Sequence, residues 1–115
     1  MNLTFDFDKV YIRPGFVDGR KGLNCLLDII VNEMKLNPCD SALFMFCTKS
    51  KKILKCIYWH INGFFILSKK VEQQHWPWPK TEDQVRELNE EQLKMLLKGI
   101  DFWNAHKSVQ YDMVI

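Results

Sequence analysis

Residues 42–79 read Ala-Leu-Phe-Met-Phe-Cys-Thr-Lys-Ser-Lys-Lys-Ile-Leu-Lys-Cys-Ile-Tyr-Trp-His-Ile-Asn-Gly-Phe-Phe-Ile-Leu-Ser-Lys-Lys-Val-Glu-Gln-Gln-His-Trp-Pro-Trp-Pro. Apolar runs of five to eight residues bounded by turn residues are the usual strand signal. Strands are therefore expected at Ala42 to Thr48, Ile53 to Trp59 and Phe64 to Val71. Lys49 to Lys52 is read as the first turn. Asn62-Gly63 is read as the second, because both residues tolerate positive φ. The Ala42–Cys47 run is apolar on both faces, so its place is in the middle of the sheet, beside the next strand and with room for the first. The aromatic coda His75 to Pro79 follows.

This stretch also holds most of the positive charge. Residues 49–80 carry seven lysines and one acid, Glu72, a net of +6, whereas residues 1–48 carry −1 and residues 81–115 carry −3. The whole-chain charge of +2 thus hides a basic centre flanked by acidic ends. A turn at Asn62-Gly63 puts Lys55 opposite Lys70, and a loop from His60 to Gly63 puts it opposite Ser68. Both registers leave Lys55, Trp59, Ser68 and Lys70 on one face, since strand side chains alternate. Two readings stand: a patch facing phosphates beside an aromatic, or a solvated face with lysines guarding an edge.

Working outward, Lys9 to Arg13 reads as a short strand broken by Pro14-Gly15. Asp18 is the expected N-cap of a helix from about Gly19 to Leu36. Leu23, Leu26, Leu27, Ile30, Val31 and Met34 form its buried stripe. Arg20 and Lys21 oppose the macrodipole at this helix start. They suit a bound anion, or Arg20 pairs with Asp18 or the Asn24/Asp28 face. Asn37-Pro38 stops the helix. Trp76 and Trp78, two apart in an extended Pro-flanked segment, point the same way. They either clamp the coda onto the core or anchor a partner. Residues 81–87 read as a polar linker. Asn89 with Gln92 forms a capping box, Leu88 staples onto Leu93, and Leu93, Leu96, Leu97 and Ile100 make a second buried stripe ended by Gly99.

The 115 residues suffice for one core without staples. The expected division is a lead-in over 1–8, one α+β domain over 9–103 and a tail over 104–115. The fold class is α+β, an antiparallel sheet of three to five strands in meander hairpins with two main helices. No apolar run is long enough to span a membrane, and the N-terminus has no leader pattern, so a cytoplasmic location is expected. Cys25, Cys39, Cys47 and Cys56 contain no C-x-x-C pair and are read as reduced thiols. No phosphate-binding glycine loop or nucleophile elbow is present, and His60, His75 and His106 are scattered. The basic centre offers one carboxylate, where metal-dependent strand transfer needs at least two. No catalytic residue, metal or cofactor is therefore assigned.

Several segments together resemble the accessory protein of the insertion sequence 66 (IS66) family, the product of its second open reading frame (TnpB). They are Asp18 to Leu23, Leu43 to Phe46, Lys55 to Trp59 through Gly63-Phe64, and Lys69 to Glu72. Trp78-Pro79, Leu88, Gln92-Leu93, Leu96-Leu97 and Gly99 to Asp101 complete the set, in order over about residues 10–103. The family often has Met at the position of Gly19, acidic residues at His60 and Asn62, and Arg-Gly-Arg at residues 73–75. That last difference removes positive charge from this chain. The resemblance implies a non-enzymatic transposition protein working with a separate transposase. The residues nominated for DNA are Arg20, Lys21, Lys49, Lys51, Lys52, Lys55, Lys69 and Lys70, and those for a protein partner are Trp76 and Trp78. The expected partners are DNA, such as transposon ends, and the transposase, with a homo-oligomer also open. The rival to DNA binding is an adaptor that assembles the transposase complex, anchored by the Trp76 to Trp78 segment and the C-terminal tail.

Overall fold

The structure, a computed structural model, describes residues 7–81 and 87–100. It is an α+β fold built on a five-stranded sheet in the order β4-β3-β2-β1-β5. The strands are β1 (Lys9–Val17), β2 (Ala42–Thr48), β3 (Ile53–His60), β4 (Gly63–Lys70) and β5 (Glu87–Leu88). The helices are α1 (Leu23–Asp28), continued by a π-helical turn (Ile29–Glu33), and α2 (Glu90–Leu97).

β2 is central, and every one of its residues is buried. The reason is its composition: apolar side chains at both parities need cover on both faces. Leu43, Met45 and Cys47 point into a cluster with Leu54, Tyr58, Trp76, Trp78, Leu88 and Leu96. Ala42, Phe44 and Phe46 point to the opposite face and pack with Leu26, Ile30, Met34 and Ile57. The sheet is thus a middle layer, with α1 on one side and the tryptophan coda and α2 on the other.

The sheet is not wholly antiparallel, as the hairpin pattern suggested. β1 runs parallel to β2, because the chain between them crosses over through α1, the connection that parallel neighbours require. Nor does Pro14-Gly15 end β1. The register moves from Ile12↔Met45 to Phe16↔Cys47, so three residues of β1 bulge against Phe46 alone. Gly15 takes φ +82, and a proline that donates no hydrogen bond is tolerated at such a bulge.

The first helix also differs from expectation. Asp18 is not its N-cap. Its carboxylate accepts from the Arg20 backbone N–H (2.9 Å), shaping a turn ahead of the helix. Gly22 stands at the N-cap without a side-chain hydrogen bond. The helix is shorter than residues 19–36, and its second half widens into the π turn, where the Met34 N–H reaches Ile29 O. The wider turn keeps Leu26, Ile30 and Met34 buried but rotates Val31 outward to 47% exposure. Lys35, at φ 58, ends it in a left-handed conformation before Asn37-Pro38.

The second helix matches its capping signals, but its expected buried stripe is narrower: Leu96 is buried and Leu93 half-buried, whereas Leu97 and Ile100 are 38% and 46% exposed. Asn89 accepts from Gln92 N (2.8 Å) and Gln92 Oε1 accepts from Asn89 N (3.0 Å), completing the capping box. Gly99 closes the helix at φ +80. Glu87, expected in the linker, instead pairs with Tyr11 in β5, and Leu88 with Val10. Phe7 and Asp8, expected in the lead-in, are held: Phe7 meets Tyr58 edge-on at 5.9 Å, and Asp8 N donates to Ser41 O. The expected tail over 104–115 and residues 101–103 lie outside the described residues.

Candidate nucleic-acid interface

Four strand ends meet at one end of the sheet. Val17 pairs with Thr48, Cys47 with Leu54 and Ile53 with Lys70. The chain leaving β1 (18–22), the β2–β3 turn (49–52) and the end of β4 (69–72) therefore converge. Together with Lys55, these segments carry eight cations against the two carboxylates of Asp18 and Glu72, a net of +6. Residues far apart in sequence make one basic end, because β1 and β2 are parallel and finish side by side.

The β2–β3 turn is held from inside. Thr48 O accepts from Lys51 N (2.8 Å), Thr48 Oγ1 and Ser50 Oγ lie 2.9 Å apart, and Lys51 takes φ 63. Lys51 O accepts from the Trp76 N–H (2.7 Å), and Lys52 O accepts from the indole N–H of Trp76 (3.0 Å). The Lys51 and Lys52 carbonyls thus face inward onto the coda, while the Lys49 side chain is exposed and those of Lys51 and Lys52 are half-buried.

The eight nominated cations fall into three groups. Arg20 is engaged by a carboxylate, bonding Asp18 through Nε (3.2 Å) and Nη2 (2.9 Å). That guanidinium holds the Asp18 carboxyl well below the usual carboxylate range. Four lysines make contacts that leave their charge unneutralised. Lys55 Nζ donates to Gly19 O (2.7 Å) and Lys21 O (3.0 Å), pinning the loop before α1. Lys52 Nζ donates to Gln74 O (3.0 Å). Lys69 Nζ donates to Leu97 O (2.9 Å), at the negative end of α2, and lies 5.4 Å from the Trp76 ring centre. Lys51 lies 5.4 Å from the Phe16 ring centre. The side chains of Lys21, Lys49 and Lys70 are exposed and make no hydrogen bond or ion pair among the described residues.

The hairpin takes the second register. Its loop residues are Ile61 and Asn62, with Ile61 at φ 56, and Lys55 lies opposite Ser68. Lys55 and Lys70 share the α1 face with Ile57, while Lys69 lies on the α2 face. The charge is therefore gathered at one end rather than on one pleated face.

Trp76 and Trp78 are 2% and 7% exposed. The Trp78 indole N–H donates to Arg13 O (2.9 Å), and Gly15 N donates to Pro79 O (2.7 Å). The coda satisfies backbone groups that the β1 bulge leaves open, which is the clamping alternative and leaves the two indoles little surface for a partner. Arg13 was not nominated. Its Nη2 meets Glu33 Oε2 at 2.9 Å and its Nη1 donates to Phe16 O at 3.1 Å, tying the bulge to the π turn. Its signal was its place before Pro14-Gly15, where a bulge leaves carbonyls to be bonded.

A groove of about 630 Å³ runs beside this end, lined in part by Asp18, Lys21, Cys25, Asp28, Glu33 and Lys49. Its mixed charge offers no concentrated site for an anion. Among the described residues no group of three or more His, Cys, Asp or Glu side chains is placed to hold a metal ion. Burial pushes the Cys47 and Cys56 thiols up to about 12. All four cysteines are free thiols.

The family model described as IS66 Orf2 like protein matches residues 8–107. The chain belongs to this family. It is 33% identical over 94 residues to uncharacterized protein y4hO of Sinorhizobium fredii (strain NBRC 101917 / NGR234), covering 82% of each chain. Uncharacterized protein y4jC of the same strain is 28% identical over 86 residues, covering 75% of this chain and 74% of its own. No solved structure matches. Membership gives the IS66 Orf2-like chain an accessory role in transposition, alongside the rest of that machinery. Among the described residues no helix is long and apolar enough to cross a membrane.

Proposed function

We propose that this IS66 Orf2-like protein is a non-enzymatic transposition factor that binds duplex DNA by phosphate contacts at the basic end of its sheet. The observation that carries the reading is the convergence of eight cations, seven from three separate segments and Lys55 from β3, of which Arg20 alone is paired to a carboxylate among the described residues. A surface of that kind gains affinity by releasing counterions, and it positions a duplex without reading its sequence. Lys21, Lys49 and Lys70 are the foremost contacts, since no fold-holding bond would be broken to reach a phosphate. Lys51, Lys52, Lys55 and Lys69 add field while they hold the loops, and Arg20 contributes less because Asp18 offsets it. Transposon ends are the natural duplex, and the protein would act there with its transposase in the cytoplasm.

The test is duplex binding by fluorescence anisotropy with the full chain. Charge reversal of Lys21, Lys49 and Lys70 to Glu is expected to abolish binding. Reversal of Lys9 and Lys35, which lie at the opposite end of the sheet, is expected to leave most of it. Equal losses in both variants would sink the reading. An adaptor role is the rival; of its expected anchors, Trp76 and Trp78 are turned into the core, and the C-terminal tail lies outside the described residues.

A further inference from the structure

β4 is an edge strand, and among the described residues nothing pairs with its outer side. Edge strands are usually blunted by a bulge, a proline or a charge in mid-strand. β4 has none of these: it pairs with β3 in unbroken register from Gly63 to Lys70, and its charges, Lys69 and Lys70, stand at its last two positions. Its middle is apolar on both faces, with Ile66 44% and Leu67 37% exposed.

The directions of its backbone groups follow from one bond. Val71 N donates to Lys52 O (2.9 Å), so the odd-numbered residues of β4 bond to β3. With period two, Phe64, Ile66, Ser68 and Lys70 turn their N–H and C=O groups outward.

We infer that β4 pairs with β4 of a second copy of this chain, antiparallel and about a two-fold axis through Ile66, to join two five-stranded sheets into one. In this register Ile66 meets the second copy's Ile66, Phe65 meets Leu67 and Phe64 meets Ser68. Outward-facing residues meet outward-facing residues, so each such pair can exchange both of its backbone bonds. Gly63 meets Lys69 and Asn62 meets Lys70, so no lysine faces a lysine. A parallel pairing of the same strands would set Lys69-Lys70 beside its copy, at the cost of like charges in contact. Charge placement and apolar matching thus select the same symmetric arrangement, and a closed two-fold interface is the commonest way for identical chains to associate. The inference stands whether or not the protein binds DNA.

Sedimentation velocity of the full chain across a wide concentration range tests it. A dimer is expected whose share rises with concentration. Ile66→Lys places two cations on the axis and is expected to lose the dimer with an unchanged circular-dichroism spectrum. Ile66→Pro removes an N–H that β3 does not use and is expected to do the same. Hydrogen exchange of the unaltered chain supplies a readout free of folding effects: the amides of Phe64, Ile66 and Ser68 should be protected at high concentration and lose that protection on dilution. A monomer at every concentration, a dimer indifferent to both variants, or protection that does not change on dilution would overturn the inference. The last result would mean that the edge is covered by another segment of the same chain.

Discussion

Trp78 shows what a single residue does here. Its indole fills the core on the α2 side, and its N–H bonds the Arg13 carbonyl. Trp78→Phe keeps most of the packing but orphans that carbonyl, at about 1–3 kcal/mol. Trp78→Ala removes the packing too, at about 3–5 kcal/mol. Denaturant midpoints should rank the two in that order. The sequence made the common direction of Trp76 and Trp78 legible through their spacing and flanking prolines. It did not say which acceptors awaited the N–H groups, since these are carbonyls at a bulge and a turn far away in the chain. The cysteines give a second test at this scale. Cys47 and Cys56, with thiols pushed up to about 12 by burial, should resist alkylation in the folded protein, whereas exposed Cys25 and Cys39 should react. Mass spectrometry after iodoacetamide reads the difference. The sign of the pH effect follows: the unfolded thiols ionise near pH 9 and the folded ones do not, so stability falls as pH rises from about 9 toward 12.

The elements show where local signals prevailed and where they were overridden. α2 was legible because its capping box, staple and closing glycine all lie within one short stretch. Asn89→Ala should therefore cost about 1 kcal/mol, measured by chemical unfolding. β1 was half legible. Pro14-Gly15 is a strand breaker by local rule, yet the strand continues because Pro79 O and the Trp78 indole take up the groups that the bulge frees. Gly15→Ala tests that account. The space around an added Cβ is adequate, with the nearest atoms at 3.5 and 3.6 Å, so the expected loss of about 1–2 kcal/mol comes from φ +82 alone. α1 was the least legible element. Asp18 looked like a cap, but Arg20 and Asp18 close their own turn, and Lys55 from a distant strand organises the helix approach through Gly19 O and Lys21 O. Composition alone does not reveal a contact across 36 positions.

Over the whole molecule, the segregation of charge along the chain carried over into three dimensions, but onto an end instead of a face. The face assignment held for Lys55 and Lys70 and could not include Lys69, which the strand period sends to the other side. What gathered the cations was the parallel pairing of β1 and β2, a topological fact that brings residues 18–22 beside residues 49–52. Among the described residues, the one carboxylate that pairs with a nominated cation is Asp18, which holds Arg20. The slope of log K against log salt concentration for duplex binding tests this claim most directly. With three to four phosphates neutralised, a slope of about −3 is expected, a loss of about 40- to 150-fold between 50 and 200 mM salt. The K21E/K49E/K70E variant should bring the slope close to zero. A wild-type slope near zero, or a steep slope that survives those three changes, would contradict the account.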